Sequence, residues 1–493
     1  MSSKHIAIIG AGPGGLTSGM ILAGRGHKVT IFEKENTVGG RNAAIHLGPY
    51  VFDTGPTFLM MTFILREIFE KAGKKLEDYC RLVPLDPMYK LAFENKDIYP
   101  SSDHEKMRKQ IAEQFPGNQY GYDAFLKKED FRYNIMYPCL KKPYSTLQSN
   151  FSPDLMKALP FLSLGKSLYQ NLGTYFTDEQ LKIAFTFQAK YLGMSPWECP
   201  AAFTIIPYIE HAFGVDHVMG GLSRISDAMA AVTKENGGEI RCGATVKKIL
   251  VKNRAAEGVE LANGEKIEAD TVIINADFGH AVGALFEPGI IRKYSPQKLV
   301  KKKFSCSTFM LYLGLDKKYD EPHHQILFAR DYRENITDIA QRLVLSDDMS
   351  VYVRNASVTD PTIAPDGHSA VYVLVPVPNN LSRIEWNDET IGVEREKVLD
   401  IICKRTSMND LREHIVEEKI ITPSCWENDY NVFIGATFNL GHNIPQMLYF
   451  RPHNKFEEVD NCYLVGGGTH PGSGLPTIYE SGRISADMIC GIT

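Results

Sequence analysis

The feature of this sequence that most restricts its fold is a glycine-rich turn between two short apolar segments near the N-terminus. Gly10-Ala11-Gly12-Pro13-Gly14-Gly15 follows the apolar run 5–9 and precedes a helical pattern over 16–23, and a second apolar run covers 28–32. In a G-x-G-x-x-G turn the first glycine permits the bend, the second lets the backbone approach a pyrophosphate, and the third packs the helix on the strand. The order strand, turn, helix, strand predicts a parallel sheet that binds a dinucleotide at the helix N-terminus.

The residues after the second predicted strand indicate which dinucleotide is bound. Glu33 stands at the end of that strand, where a carboxylate accepts hydrogen bonds from ribose hydroxyls and repels the 2'-phosphate of NADP. Gly39-Gly40-Arg41 follows closely. A site for NAD does not need this tripeptide, whereas FAD held along its whole length by one domain can use an arginine and two flexible glycines near its phosphates. The pattern therefore favours FAD.

Two further segments are candidates for contact with the ligand. Residues 53–57 (Asp53-Thr54-Gly55-Pro56-Thr57) can form a tight turn that presents backbone N–H groups to a ligand, and a plain turn is the alternative interpretation. Near the C-terminus, residues 466–474 contain five glycines, which allow the backbone to lie flat against a ring system, and a helical pattern follows over 478–489. Pro476 near the start of that helix directs its positive dipole end at the anionic charge of a reduced flavin.

The rest of the chain predicts a second, interleaved unit. Residues 58–215 carry apolar helical patterns and aromatic residues, whereas strand patterns return at 244–251 and 271–276, with a hairpin turn at Asn263-Gly264. The predicted class is α/β, with a discontinuous FAD-binding Rossmann-like domain, a mixed α+β substrate domain and a helical membrane-facing region. The predicted FAD-binding domain comprises 1–75, 216–295 and 455–493, and the substrate domain comprises 76–215 and 296–454.

Composition and charge restrict the partners and the compartment. The 493 residues are 44% hydrophobic and 23% charged with a formal charge of -5, so nucleic acid is not an expected partner. The nine cysteines are scattered without a Cys-x-x-Cys pair, which is typical of a reduced cytosol, and no His or Cys spacing predicts a metal. The N-terminus leads directly into the first strand without room for a secretory signal, so we expect a cytoplasmic protein. No apolar run is long enough to span a bilayer, so membrane contact would be peripheral.

Two apolar stretches in the helical region have alternative interpretations. Residues 151–175 combine leucines and aromatics with Lys157 and Lys166, which suits either a membrane-contact segment or a buried core helix. Several aromatic residues that follow are candidates for the wall of an apolar tunnel or for ordinary core packing. These aromatic residues are Phe185, Phe187, Tyr191, Trp197, Phe203 and Tyr208.

Taken together, the motifs resemble those of the bacterial phytoene desaturases and their carotenoid-oxidising relatives. The resemblance lies in 10–15, Glu33, 39–41 and 52–57 at the N-terminus, in 449–454 and 463–483 at the C-terminus, and between 220 and 246. It implies one FAD, peripheral association with the cytoplasmic membrane, and oxidation of a long acyclic isoprenoid polyene with quinone or oxygen as the final electron acceptor. The family carries FAD on the positions that match Gly10, Gly12, Gly15, Glu33, Arg41, Thr57, Val246, Gly468, Pro476 and Thr477.

The complete set of expected cofactor-binding residues adds neighbours within the same motifs. It consists of Gly10, Ala11, Gly12, Pro13, Gly14, Gly15, Glu33, Gly39, Gly40, Arg41, Gly55, Pro56, Thr57, Val246, Gly467, Gly468, Leu475, Pro476 and Thr477. Many desaturases have other residues at the positions of Gly467, Ser473, Leu475 and Thr477, which leaves the reaction and the substrate length open.

The expected chemistry is removal of a hydride from an allylic carbon and of a proton from its neighbour. Backbone dipoles at Pro476 and Thr477 are expected to stabilise negative charge on the flavin. His470 and Glu480 are the candidates for the base because they are close to the flavin segment in sequence, and each is equally interpreted as a structural side chain. Alternative functions on the same scaffold are a carotenoid terminal oxidase, a polyene isomerase or saturase, an amine or porphyrinogen oxidase, and a non-catalytic prenyl-lipid escort protein.

Overall fold

The computed structural model describes residues 3–492, with the side chains of residues 190 and 191 outside the described set. Within these residues the α-helices α1–α15 are, in chain order, Pro13–Gly24, Thr62–Lys71, His104–Gln114, Gln119–Leu140, Pro153–Ala158, Leu168–Leu172, Glu179–Ala184, Ile205–Phe213, Ser223–Glu235, Phe278–Ala284, Pro296–Leu299, Tyr332–Thr337, Asp388–Arg405, Pro423–Asn428 and Leu475–Ile489. The strands β1–β19 are His5–Ile9, Lys28–Phe32, Ala44–Leu47, Tyr50–Asp53, Leu82–Pro84, Lys90–Ala92, Asp97–Ile98, Asp216–Val218, Glu239–Arg241, Val246–Lys252, Ala255–Leu261, Lys266–Glu268, Thr271–Ile274, Ser307–Leu315, His324–Leu327, Val351–Asn355, Ser369–Val377, Ile415–Ile421 and Cys462–Leu464.

A five-stranded parallel sheet forms the first unit, with the strand order β19-β13-β1-β2-β9. The central strand β1 is apolar at successive positions because both faces of the sheet are covered. Ile6 and Ile8 belong to the core cluster that includes helix α1, whereas Ala7 and Ile9 pack with the small antiparallel sheet β10-β11-β12. The strands come from three separate parts of the chain, 5–32, 239–274 and 462–464.

A seven-stranded mixed sheet forms the second unit, in the order β18-β14-β17-β16-β15-β6-β7. Successive side chains of each strand point to opposite faces of this sheet, so each strand contributes to two different groups of packed residues. Leu311 and Leu313 of β14 join the cluster that contains residues of α13. Thr308 and Met310 lie on the opposite face of β14, and they contribute to one wall of the cavity described below.

Helices α2–α8 occupy the region between 62 and 213, and a buried polar network joins two of its segments. The Arg132 guanidinium donates to both carboxylate oxygens of Glu129, at 2.7 and 2.8 Å, and both side chains are buried. Asn171 and Tyr175 extend this network, with the Tyr175 hydroxyl donating to Glu129 at 2.9 Å. The hydrogen bonds from Asn171 and Tyr175 to Glu129 therefore connect the long helix α4 to the segment around α6.

The fold class predicted from the sequence is confirmed as an α/β protein with a parallel sheet and mixed sheets. The predicted domain boundaries and the membrane-facing region stay predictions. The stretch 151–175 forms no single long helix; it consists of short helices, among them α5 and α6. None of the helices between residues 3 and 492 combines the length and apolar character needed to cross a bilayer.

Candidate active site

A cavity of about 500 Å³ lies between the two sheets. At one end it is bounded by the residues that follow the carboxyl ends of β1, β2, β13 and β19, which is where open parallel sheets bind ligands. At the other end it is bounded by one face of the seven-stranded sheet. Of the residues expected to bind the cofactor, those that line the cavity are Gly10, Gly12, Pro13, Glu33, Gly40, Arg41, Gly55, Pro56, Thr57, Val246, Gly467, Gly468, Leu475 and Pro476.

The glycine-rich turn leaves no room for side chains. A Cβ atom on Gly15 would lie 2.3 Å from the carbonyl oxygen of Gly10, and one on Gly12 would lie 2.8 Å from the Asn275 amide. Asn275 holds the turn from β13, because its side-chain N–H donates to the Gly10 carbonyl at 3.1 Å. Helix α1 begins at Pro13, so its free N-terminal N–H groups are directed at the cavity. Asn275 was missed in the sequence because no local motif marks it.

Other residues of the predicted cofactor-binding set support the turn without lining the cavity. A Cβ atom on Gly14 would lie 2.9 Å from Oδ1 of Asn275, so Gly14 packs directly against this side chain. The Gly39 N–H donates to the Ala11 carbonyl at 2.8 Å, with Gly39 at a φ of 111° that favours glycine. These residues shape the backbone that faces the ligand.

Glu33 is held rigidly at the cavity wall. One of its carboxylate oxygens accepts a hydrogen bond from the Ala11 N–H at 2.7 Å, and the other accepts one from the Glu35 N–H at 3.0 Å. The side chain is buried, yet each oxygen keeps a further lone pair for a ligand hydroxyl. This arrangement suits recognition of a ribose.

The turn at 53–57 is fixed by side chains from the seven-stranded sheet. The Tyr372 hydroxyl donates to the Gly55 carbonyl at 2.8 Å, and the Tyr352 hydroxyl shares a 2.8 Å hydrogen bond with the Thr57 hydroxyl. Farther back, a buried ion pair of 2.8 Å joins Asp53 to Arg354. The sheet and the predicted flavin-binding turn are therefore tied together at three points. The tyrosines lie hundreds of residues away in sequence, which is why local motifs could not reveal them.

The C-terminal glycine-rich segment closes the cavity on the opposite side. Gly466, Gly467 and Gly468 line it, and helix α15 begins at Leu475 with Pro476 in its first turn. The N-terminal end of this helix therefore faces the cavity and favours negative charge there. Thr477 does not line the cavity, because its hydroxyl is directed at the carbonyls of the preceding turn, 2.9 Å from that of Gly474.

The two residues expected as candidate bases lie behind the cavity wall. His470 is buried with its ring edge against Tyr144, and burial lowers its pKa to about 3. Glu480 accepts a 2.6 Å hydrogen bond from Arg483, and burial raises the pKa of its carboxyl. Neither side chain lines the cavity. Their catalytic role stays a prediction that this placement does not support.

The apolar wall of the cavity contains one of the aromatic residues proposed for a tunnel. Phe187 lines the cavity, whereas Phe185 stacks on His211 with ring centres 4.8 Å apart. Trp197, Phe203 and Tyr208 pack against other side chains outside the lining, and the side chain of Tyr191 lies outside the described residues. The sequence interpretation missed Phe58, Met60, Met310, Ile326, Tyr352 and Leu374.

These groups fit FAD by their chemistry. The glycine turn and the start of α1 suit a pyrophosphate, and the fixed Glu33 carboxylate suits a ribose. Arg41 lines the cavity beside them and donates to the Thr437 carbonyl at 2.7 Å. The start of α15 suits an anionic ring system. An NAD site alone would leave the second half of the cavity without a ligand.

Comparison with known proteins agrees with this assignment. The profile of the flavin containing amine oxidoreductase family matches residues 13–490. The chain is 54% identical over 488 residues to a 4,4'-diapophytoene desaturase (4,4'-diapolycopene-forming) of Methylomonas sp., covering 99% of this chain and 95% of that protein. It is 36% identical to a phytoene desaturase (neurosporene-forming) of Rhodobacter capsulatus, covering 98% and 93% of the two chains. A putrescine oxidase structure matches with a TM-score of 0.63 at 14% identity, over 99% of both chains, which shows a shared fold.

Proposed function

Because the chain belongs to the flavin containing amine oxidoreductase family, and within it to the bacterial carotenoid desaturases, we propose that it desaturates a long acyclic isoprenoid polyene. FAD is its cofactor. The most similar relative described above supports 4,4'-diapophytoene as the first substrate. The observation that carries the proposal is the second half of the cavity, where apolar residues such as Met60, Phe187 and Leu374 continue the site beyond the flavin-binding turn.

The protein contributes binding, orientation and exclusion of water. When bound, FAD supplies the oxidising chemistry, since it can take up a hydrogen together with its electron pair. The start of α1 and Glu33 fix the dinucleotide end, and Tyr372 and Tyr352 hold the turn 53–57 against the seven-stranded sheet. The start of α15 stabilises negative charge at the opposite side. The apolar wall aligns the polyene and keeps water from the reacting carbons.

The test is conversion of defined polyenes by the FAD-loaded protein. We expect 4,4'-diapophytoene to give products whose absorption moves stepwise to longer wavelength as conjugation grows, and phytoene to serve as the length comparison. A product with added oxygen would assign a terminal oxidase instead. An unchanged polyene, together with reduction of the flavin by an amine, would refute the proposal.

The proposed cellular setting is the cytoplasmic face of the membrane, with quinone or oxygen as the final electron acceptor. A polyene dissolves in lipid, so a cavity that receives one benefits from direct contact with a bilayer. Several large apolar side chains between 147 and 164 are exposed, with 65% for Leu147, 74% for Phe151, 47% for Met156 and 61% for Leu164. Lys142 precedes them and Lys157 lies among them, an arrangement that suits insertion with the charges at the headgroups.

Liposome flotation tests the membrane contact. Replacement of Phe151, Met156 and Leu164 by serine should reduce the floating fraction at least about tenfold, since each buried side chain of this size contributes roughly 1.5–3 kcal/mol. The matched control replaces Val393 and Val416, which are 49% and 52% exposed elsewhere, and should float like the wild type. Both variants should retain full FAD content. Undiminished flotation of the triple variant would remove this segment as the contact.

A further inference from the structure

Desaturation leaves a proton to be placed, and this inference rests on the function proposed above. Once an allylic carbon has lost a hydrogen with its electron pair, the neighbouring C–H bond becomes strongly acidic. Its electron pair forms the new double bond, and its proton needs an acceptor inside a cavity from which water is excluded. The acceptor must therefore be a side chain of the cavity wall or a group directly behind it.

Few groups of the wall can take this role. Glu33, Asp277 and His280 lie at the cofactor end of the wall, away from the seven-stranded sheet. The two carboxylates already accept hydrogen bonds, Asp277 from the Asn439 amide at 2.7 Å. On the face of the seven-stranded sheet, the lining residues with an ionisable proton are Cys306, Tyr352 and Tyr372. The thiol is a weak acceptor, and the Tyr372 hydroxyl donates to the Gly55 carbonyl, which cannot take a proton.

Tyr352 differs from these residues because a base lies directly behind it. Its hydroxyl is 2.7 Å from Nδ1 of His324 and 2.8 Å from the Thr57 hydroxyl. His324 is fully buried, and its Nε2 atom has no hydrogen-bond partner. Its ring stacks on Phe58 at 4.3 Å between ring centres, so a positive charge on the imidazole would lie against an aromatic face.

We propose that Tyr352 and His324 form the proton acceptor of the reaction. The Tyr352 oxygen takes the proton from the substrate carbon while its own proton moves to Nδ1 of His324. FAD, when bound, would supply the two-electron oxidant for the other hydrogen and its electron pair. The result is a neutral tyrosine, a protonated imidazole and one new carbon–carbon double bond. When the product leaves and water enters, the proton returns through the same hydroxyl to water.

The surroundings of His324 suit a temporary acceptor. Burial, followed by the charge of Arg354 and the proximity of His217, lowers the pKa of His324 well below its usual value, so the imidazole is neutral when a substrate arrives. A cationic substrate carbon is acidic enough to protonate it all the same. The same surroundings drive the proton out again once the product has gone, because Arg354 opposes a second positive charge.

The experiment compares Tyr352→Phe, His324→Asn and the double variant in single-turnover reactions with 4,4'-diapophytoene. Asparagine keeps a hydrogen-bond acceptor near the position of Nδ1 but cannot hold a proton. Each single variant should lower the rate roughly 100- to 10,000-fold, which is the usual contribution of a general base. The double variant should be no slower than the slower single variant, because the two residues act as one unit.

Three measurements separate proton transfer from a structural role. Because the Tyr372–Gly55 hydrogen bond and the Asp53–Arg354 ion pair still hold the turn 53–57, FAD content and polyene binding should stay within about twofold of the wild type, as followed through quenching of flavin fluorescence. In protein with ¹⁵N-labelled histidines, Tyr352→Phe should shift the Nδ1 resonance of His324. Tyr50→Phe is the matched control, because it also removes a 2.7 Å hydrogen bond between a tyrosine hydroxyl and an imidazole. Tyr50 and its partner His368 do not line the cavity, so the rate of this variant should be unchanged.

The outcomes are distinguishable from those of the proposed function. A wild-type protein that converts no polyene would refute the function itself. If the wild type converts the polyene while Tyr352→Phe keeps its rate within about threefold, Tyr352 and His324 are not the acceptor. A rate that falls only in proportion to lost FAD or lost polyene binding would likewise overturn the inference.

Discussion

Replacement of Glu33 by glutamine tests how the cofactor is recognised. In the structure Glu33 lines the cavity, and both carboxylate oxygens accept backbone hydrogen bonds, from Ala11 at 2.7 Å and from Glu35 at 3.0 Å. In Glu33→Gln one of the two positions becomes an NH₂ group, which opposes a backbone N–H and cannot accept from a ribose hydroxyl. The variant therefore loses a charged acceptor in both the free and the FAD-bound protein.

The effect on binding can be separated from the effect on folding. The clash with a backbone N–H is present with and without FAD, so it lowers stability, by about 1–3 kcal/mol for one unsatisfied buried group. Only the hydrogen bond to the ribose is specific to the complex. A hydrogen bond to a charged group contributes about 1.5–3 kcal/mol, which corresponds to a roughly 10- to 150-fold higher Kd for FAD.

Reconstitution of the apoprotein with FAD, followed by calorimetry or by flavin fluorescence, measures this Kd directly. Glu35→Gln is the matched control, because it makes the same chemical change two residues away on a side chain that is 58% exposed and does not line the cavity. Its Kd should be unchanged. A Kd for Glu33→Gln within about threefold of the wild type would refute the assignment of Glu33 to the ribose.

Two further substitutions test the turn and the buried histidine. Gly15→Ala should abolish FAD binding because the new Cβ atom would lie 2.3 Å from the carbonyl oxygen of Gly10. The control Gly392→Ala, in which the new Cβ atom lies in open space on a helix, should keep full FAD content. A Gly15→Ala protein with full FAD content would contradict this reasoning. The pKa of His470 is lowered to about 3 by burial, so the unfolded chain takes up a proton below about pH 6.5 that the folded protein refuses, and stability falls as the pH falls. Between pH 7 and 5 the free energy of unfolding of His470→Phe should therefore fall less than that of the wild type, by up to about 2 kcal/mol, as measured by urea unfolding. The same pH dependence in both proteins would contradict this.

The cofactor end of the site could be predicted because its determinants are local. The turn at 10–15, Glu33 and Arg41 lie within one strand-helix-strand unit, where spacing alone brings them to the same edge of the sheet. The start of α15 was also predicted within a few residues, since glycines and Pro476 mark it. FAD, the fold class and the family are confirmed, and the individual binding residues stay predictions that the cavity lining supports.

The substrate end could not be predicted, because it depends on pairing between distant strands. Tyr352 lies in β16, and its neighbours Ile326 and Leu374 come from β15 and β17. Which residues of these strands face the cavity follows from their register, which no local pattern reveals. The choice of His470 and Glu480 as bases relied on closeness in sequence, and the backbone turns both side chains away from the cavity.

The position of β1 at the centre of the parallel sheet determines when the cofactor can first be bound. The strand β1 pairs with β2, which is synthesised directly after it, and with β13. The strand β19, which pairs with β13 on the other side, is among the last segments to be translated. At bacterial elongation rates of about 5–20 residues per second, Ile9 leaves the ribosome roughly 20–90 s before Cys462. During that interval the nascent N-terminal strand has apolar surface without its final partners. Because residues 466–476 also line the cavity, the complete flavin site forms only after they have been synthesised.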